Sequence, residues 1–132
     1  MDLIQCVARY ITDNQWTYCI PDIVLIEQQP IVASYNVVVQ HALCSTILAL
    51  ARSVGNTDLK IDFVSPRRKF SMFAAFCSWP PTKPTYKDRK LNGMYITEAL
   101  LTKFGYQASS YDLNYDMCDA FANACAYIAK NK

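Results

Sequence analysis

Between Asp22 and Pro30 the chain runs Ile23-Val24-Leu25-Ile26, four branched aliphatic residues in a row, then Glu27-Gln28-Gln29 and a proline. Such a run reads as a short strand covered on both faces, as in sheets packed between helices. A second run, Leu59 to Val64, alternates well enough for another strand and is stopped by Ser65-Pro66. The span between them is helical in pattern and far too long for a hairpin. Two strands joined in this way are expected to be neighbours and parallel. The fold class this implies is α/β.

The remaining segments follow from periodicity and breakers. Leu3, Ile4, Val7, Ala8 and Ile11 recur at helical spacing, so a first amphipathic helix is expected over residues 2–12, broken by Asn14 and Trp16-Thr17-Tyr18. Ser34 or Asn36 caps a second helix that runs to Val54 and ends at Gly55-Asn56. Residues 67–85 contain Pro80-Pro81 and Pro84, which forbid a continuous helix, and are expected to form an irregular loop or insertion. In it, Phe70, Phe73, Phe76 and Trp79 are expected to form a satellite core rather than a base-stacking platform or, alternatively, a wedge. A third helix is expected from Arg89 to Phe104, ended by Gly105, and a last one from Tyr115 to Ala129. At 132 residues the chain is expected to be one domain, 1–132.

Composition excludes some classes. With 52% hydrophobic and 18% charged residues the chain is globular in character. The longest apolar stretch, Val37 to Ala51, is interrupted by Gln40, His41, Ser45 and Thr46, so no membrane span is expected. The first residues carry neither a basic region nor a cleavage site, so secretion is not expected. Six cysteines at positions 6, 19, 44, 77, 118 and 125 form no Cys-x-x-Cys pair. They read as buried, reduced thiols of an intracellular protein in a reducing compartment. His41, the single histidine, reads as a packed or surface residue.

The formal net charge of +2 is unevenly spread. Residues 60–103 hold nine basic residues against three acidic ones, and the rest of the chain holds four against eight. An electropositive middle beside acidic flanks fits a phosphate backbone, and equally a solvated face. Arg67-Arg68-Lys69 reads in the same two ways.

The acids carry the chemistry. Glu27 closes the first strand, where a carboxylate loses hydration unless a cation offsets the loss. Asp116 and Asp119 stand at i, i+3 on one helix face. Two carboxylates on a helix plus one at a strand end make a candidate divalent-metal site. Acids in a first helical turn also complement the dipole, and both uses can hold together.

Four segments taken in order, Val24-Leu25-Ile26-Glu27-Gln28-Gln29-Pro30, Phe63-Val64-Ser65-Pro66-Arg67-Arg68, Tyr86-Lys87-Asp88-Arg89-Lys90 and Asp116-Met117-Cys118-Asp119-Ala120-Phe121, resemble one family. They are similar to the Holliday junction resolvases of large DNA viruses and fungal mitochondria, within the RuvC-like, RNase H-fold nucleases. The resemblance implies an RNase H-like (RuvC-like) mixed sheet flanked by helices, and a site of four carboxylates holding two Mg²⁺ (or Mn²⁺) ions. Glu27 matches the second carboxylate, Asp116 and Asp119 the last pair. Lys87 and Lys90 match a basic stretch that contacts phosphate. No segment matches the first carboxylate or its strand, so the N-terminal strands are expected to be missing.

By that resemblance the activity is metal-dependent phosphodiester hydrolysis at four-way DNA junctions, in recombination or viral genome resolution, although with the first carboxylate unmatched this chain alone is expected to cleave poorly or not at all. Glu27, Asp116, Asp119, Lys87 and Lys90 would be catalytic, with the three acids as metal ligands. Arg67, Arg68, Lys69, Lys87, Arg89 and Lys90 would contact DNA. The expected partners are branched DNA and a second copy in a homodimer, with Val37 to Ala51 as the candidate interface, although burial inside the monomer is the favoured use of that helix. The alternative is a catalytically inactive RNase H-fold module for nucleic-acid binding or oligomerisation. A third reading is an unrelated α/β interaction protein.

Overall fold

The computed structural model describes residues 2–67 and 86–131. Their contacts divide the chain into two compact units, Met1–Val64 and Ser65–Lys132. Most of the 67–85 loop, including Arg68, Lys69 and the aromatic cluster, lies outside the described residues.

The first unit opens with α1 (Leu3–Asp13). Asp2 is its N-cap: its carboxylate accepts the Gln5 N–H at 2.8 Å, and the Gln5 side chain accepts the Asp2 N–H at 3.2 Å. This reciprocal pair satisfies two orphan donors of the first turn. Asp2 is thereby accounted for as a helix cap. A short helix, α2 (Gln15–Tyr18), follows where a break was expected. Tyr18 reaches back to α1, its hydroxyl 3.1 Å from that of Tyr10. That hydrogen bond, with some burial, raises the Tyr18 pKa above its usual value.

Strands β1 (Ile23–Glu27) and β2 (Lys60–Val64) pair in parallel as expected, Ile23 opposite Lys60 and Glu27 opposite Val64. The Lys60 N–H donates to Asp22 O and the Gln28 N–H to Val64 O, each at 2.9 Å, so pairing runs one residue past both ends of β1. Only these two strands are present among the described residues, and β1 is half-buried rather than covered on both faces, with Ile23 exposed. A strand with a single neighbour has one edge and part of each face open.

Helix α3 (Ser34–Ser53) connects the strands. Its N-cap is Ala33, with no side-chain hydrogen bond, so neither Ser34 nor Asn36 caps it. The Asn36 amide instead donates to the Gln29 side chain. At 20 residues and a mean hydropathy of 1.3, α3 is long and apolar enough to cross a membrane, which the interrupting polar residues had argued against. In this unit it packs on α1 and α2 and supplies Ile47 and Ala51 to a core with Ile11, Cys19 and Leu59. Asn56 fastens the loop before β1, its amide donating to the carbonyls of Cys19, Ile20 and Pro21.

The second unit holds α4 (Tyr86–Lys103), a 3₁₀ turn (Ala108–Ser110) and α5 (Tyr115–Lys130). Helix α4 begins three residues before the expected Arg89, because Lys and Arg sustain a helix where apolar periodicity gives no signal. Ile96 and Leu100 of α4 pack against Ala122 of α5, with Phe121 and Cys125 alongside.

Cys19 and Cys118 are buried free thiols and Cys44 and Cys125 half-buried ones, while Cys6 is exposed, against expectation, on the outer side of α1. Burial pushes the thiols of Cys19, Cys44 and Cys125 up in pKa, away from reactive thiolate.

Helices α3 and α4 end alike. Gly55 and Gly105 have positive φ, and the next residue donates back five positions, Asn56 to Ala51 O at 2.8 Å and Tyr106 to Leu101 O at 2.9 Å. These are Schellman closures, which an L-residue adopts only with strain. Gly55→Ala is expected to destabilise the first unit by about 1 kcal/mol, read from the urea midpoint at unchanged m-value.

Candidate functional site

In the first unit the feature of interest follows β1. Glu27, the last strand residue, is half-buried and lines a pocket of about 240 Å³ with Ile26, Gln29, Asn36, Val39, Gln40 and Leu43. The pocket lies at the carboxyl end of the strand, where ligands bind in open α/β sheets. Three amides clamp this corner. The Gln29 N–H donates to Gln40 Oε1 at 2.9 Å, the Gln29 side chain donates to Glu27 O at 3.0 Å, and Asn36 donates to Gln29 Oε1 at 3.3 Å. Asn36 and Gln40 are one turn apart on α3, so a single helix face holds the segment that carries Glu27.

In the second unit the site is built on the start of α5. Asn114 is the N-cap, its side chain accepting the Met117 N–H at 2.9 Å. That cap sets the first turn, and the i, i+3 spacing then puts Asp116 and Asp119 on one face. Lys90 comes to them from α4: its Nζ is 3.0 Å from Asp119 Oδ2 and 3.9 Å from Asp116 Oδ1. The side chains differ sharply in exposure, 22% for Lys90 and 28% for Asp119 against 97% for Asp116. Asp119 is therefore the sheltered member of the pair.

Gly93 borders the same carboxylate. It is one turn beyond Lys90 on α4, and a Cβ built there would lie 3.6 Å from Asp119 Oδ1. One carboxylate oxygen thus faces the ammonium while the other lies beside the α4 backbone. Lys87, Lys90, Asn114, Tyr115 and Asp116 together line an open cleft of about 500 Å³. The cleft holds two cationic side chains, a helix N-terminus and an exposed carboxylate, a combination suited to a phosphate group accompanied by a cation.

The residues expected from sequence thus divide. Asp116, Asp119, Lys87 and Lys90 fall within one unit, the first, second and fourth of them around one ion pair. Glu27 belongs to the other unit. Among the described residues no group of three or more His, Cys, Asp or Glu side chains forms a metal-binding cluster. Arg67 is exposed, its N–H 3.4 Å from Ser65 Oγ. Arg89 lies on α4, and Arg68 and Lys69 lie outside the described residues.

Sequence reasoning missed Gln29, Asn36, Gln40, Asn114 and Gly93. The paired glutamines after Glu27 were a signal for the first three, since consecutive long amides leaving a strand need partners. Compared with models of protein families, with curated proteins and with solved structures, the chain matches none.

Two outcomes test this geometry. Gln40→Ala leaves the Gln29 N–H without its acceptor and is expected to cost about 1–2 kcal/mol in chemical denaturation. Gly93→Ala meets Asp119 Oδ1 at an ordinary van der Waals distance of 3.6 Å. Lying inside a helix, it is expected to stabilise the second unit by about 0.5–1 kcal/mol, contrary to Gly55→Ala.

Proposed function

We propose that this chain is a Holliday junction resolvase-like endonuclease of the RNase H-like (RuvC-like) fold, acting on the phosphodiester backbone of four-way DNA junctions as a homodimer. The observation that carries the reading is the meeting of Lys90 with Asp116 and Asp119 beside Lys87. The motif that resembles a resolvase's last two carboxylates and the motif that resembles its basic stretch lie side by side, although they are far apart in sequence. The parallel β1–β2 pair, with Glu27 at its carboxyl end, supports the same reading.

The donor chemistry fits a divalent metal. Mg²⁺ takes hard anionic oxygens and commonly uses one or two carboxylates together with substrate phosphates. Asp116 and Asp119 would hold it. When bound, such ions supply an activated water and stabilise the departing oxygen. The chain's own residues do the rest. Lys87 and Lys90 offset charge on the scissile or adjacent phosphate. The basic stretch including Arg67, Arg68, Lys69 and Arg89 contacts the backbone of the arms, reading shape more than sequence.

A second reading has one observation in its favour. The 3.0 Å contact between Lys90 and Asp119 already neutralises the more sheltered acid, which suits a module that keeps the fold and binds nucleic acid without cutting it.

The test incubates the full chain with a labelled four-way junction and with duplex of equal length. Binding is expected to favour the junction and to weaken steeply with salt, the log–log slope being about 0.9 per phosphate neutralised. With Mg²⁺ or Mn²⁺, cleavage is expected to be weak, and any nicking is expected to disappear in Asp116→Asn. Binding without nicking selects the second reading. Neither binding nor nicking overturns the proposal.

A further inference from the structure

The cation that the acid pair holds is supplied by the protein. Lys90 Nζ reaches Asp119 Oδ2 at 3.0 Å and stands 3.9 Å from Asp116 Oδ1, from a side chain that is only 22% exposed. A sheltered contact of this kind is screened less by salt than a surface pair. Gly93 borders the other Asp119 oxygen, its would-be Cβ at 3.6 Å. The carboxylate is therefore held between an ammonium and a helix backbone. A Mg²⁺ ion needs its oxygens at about 2.0–2.1 Å, in near-ideal octahedral geometry. An ammonium already 3.0 Å from Asp119 Oδ2 occupies the approach to that same oxygen.

We propose that Lys90 is the resident counter-ion of the Asp116–Asp119 pair and competes with a divalent cation for Asp119. With no cation bound, the ammonium offsets the carboxylates' repulsion and ties α4 to α5. When a cation binds, the ammonium withdraws into the cleft it shares with Lys87, where its partner is the phosphate of the nucleic acid. The inference rests on the metal-dependent reading above and adds a rule to it: cation and phosphate load together, because each gives Lys90 or Asp119 what the other removes. Linkage makes the coupling reciprocal, so phosphate-bearing DNA tightens cation binding by the factor that the cation tightens DNA binding.

The experiment measures Mn²⁺ affinity of the full chain by electron paramagnetic resonance of the free aquo ion. Lys90→Met keeps the stem and removes the charge, and is expected to bind Mn²⁺ about tenfold more tightly than the unmodified protein. Lys90→Arg keeps a cation at the position and is expected to stay near the unmodified value. Lys130→Met, at the far end of α5, serves as the control for net charge. The tightening is expected to persist at about 1 M KCl, where the screening length is about 3 Å. Equal or weaker Mn²⁺ binding by Lys90→Met, or a tightening that vanishes at high salt, overturns the proposal.

A measurement on the unmodified protein covers failure of that variant to fold. With lysine ¹³Cε labelling, the Lys90 signal is expected to shift as Mg²⁺ is added, saturating with binding, while Lys130 stays in place. A Lys90 signal that does not move as Mg²⁺ binds overturns the proposal. Equal Mn²⁺ binding by both proteins removes the role of Lys90 and leaves the metal-dependent reading standing. Binding by none of them removes both.

Discussion

Parallel pairing of β1 with β2 is the constraint on which the first unit depends. A parallel pair cannot be closed by a tight turn, so the chain must travel the length of the sheet and return. Helix α3, 20 residues long, makes that return. A two-stranded sheet is marginal in isolation, and α3 meets this need too, since Ile47 and Ala51 join Ile11, Cys19 and Leu59 in the core. The register puts Glu27 level with Val64, and the next residues bend toward α3, where Gln40 and Asn36 hold Gln29. The position of Glu27 is thus a consequence of the crossover.

The second unit obeys a different constraint, the packing of two helices along a short apolar seam. Ile96, Leu100 and Ala122 form a small buried cluster. Ala122 and Ala126, one turn apart and both buried on α5, suit a close helix approach. A close approach is what lets a lysine on one helix meet an acid on the other at 3.0 Å. The ion pair and the seam support each other, and the buried Thr97 hydroxyl is satisfied within α4 by the Gly93 carbonyl at 2.8 Å.

Much of this was legible in the sequence, for physical reasons. Branched aliphatic runs and Gly-terminated helices are local signals, and the strands, their parallel relation and the ends of α3 and α4 followed from them. What escaped was non-local or weakly patterned. Trp16-Thr17-Tyr18 lacks helical propensity and is helical because Tyr18 docks on Tyr10 and the core beneath. The start of α4 carries charge without apolar period. Asn36 has the chemistry of an N-cap, yet its amide found a better partner in Gln29. In the site, the i, i+3 acids were visible, but nothing local shows which of several lysines faces them. Lys90 is 29 positions from Asp119, and only the packing of α4 on α5 selects it over its neighbours. Of the sheet that the motif resemblance implied, the described residues show the two parallel strands.

The two acids are not equivalent, and the difference bears on what the site is for. To tie α4 to α5 one carboxylate would suffice, and Asp119 already supplies it. Asp116, 97% exposed and 3.9 Å from the ammonium, adds little to that tie, because an exposed pair at such a distance is worth a fraction of a kilocalorie, roughly 0–1 kcal/mol. It does complement the helix dipole, but an acid at either neighbouring position of the first turn would serve the dipole as well. Its position three residues before Asp119 sets a second carboxylate on the same face, next to the lysine-lined cleft. Asp116 is thus a second carboxylate that the helix–helix tie does not require, exposed beside the cleft it lines with Lys87 and Lys90.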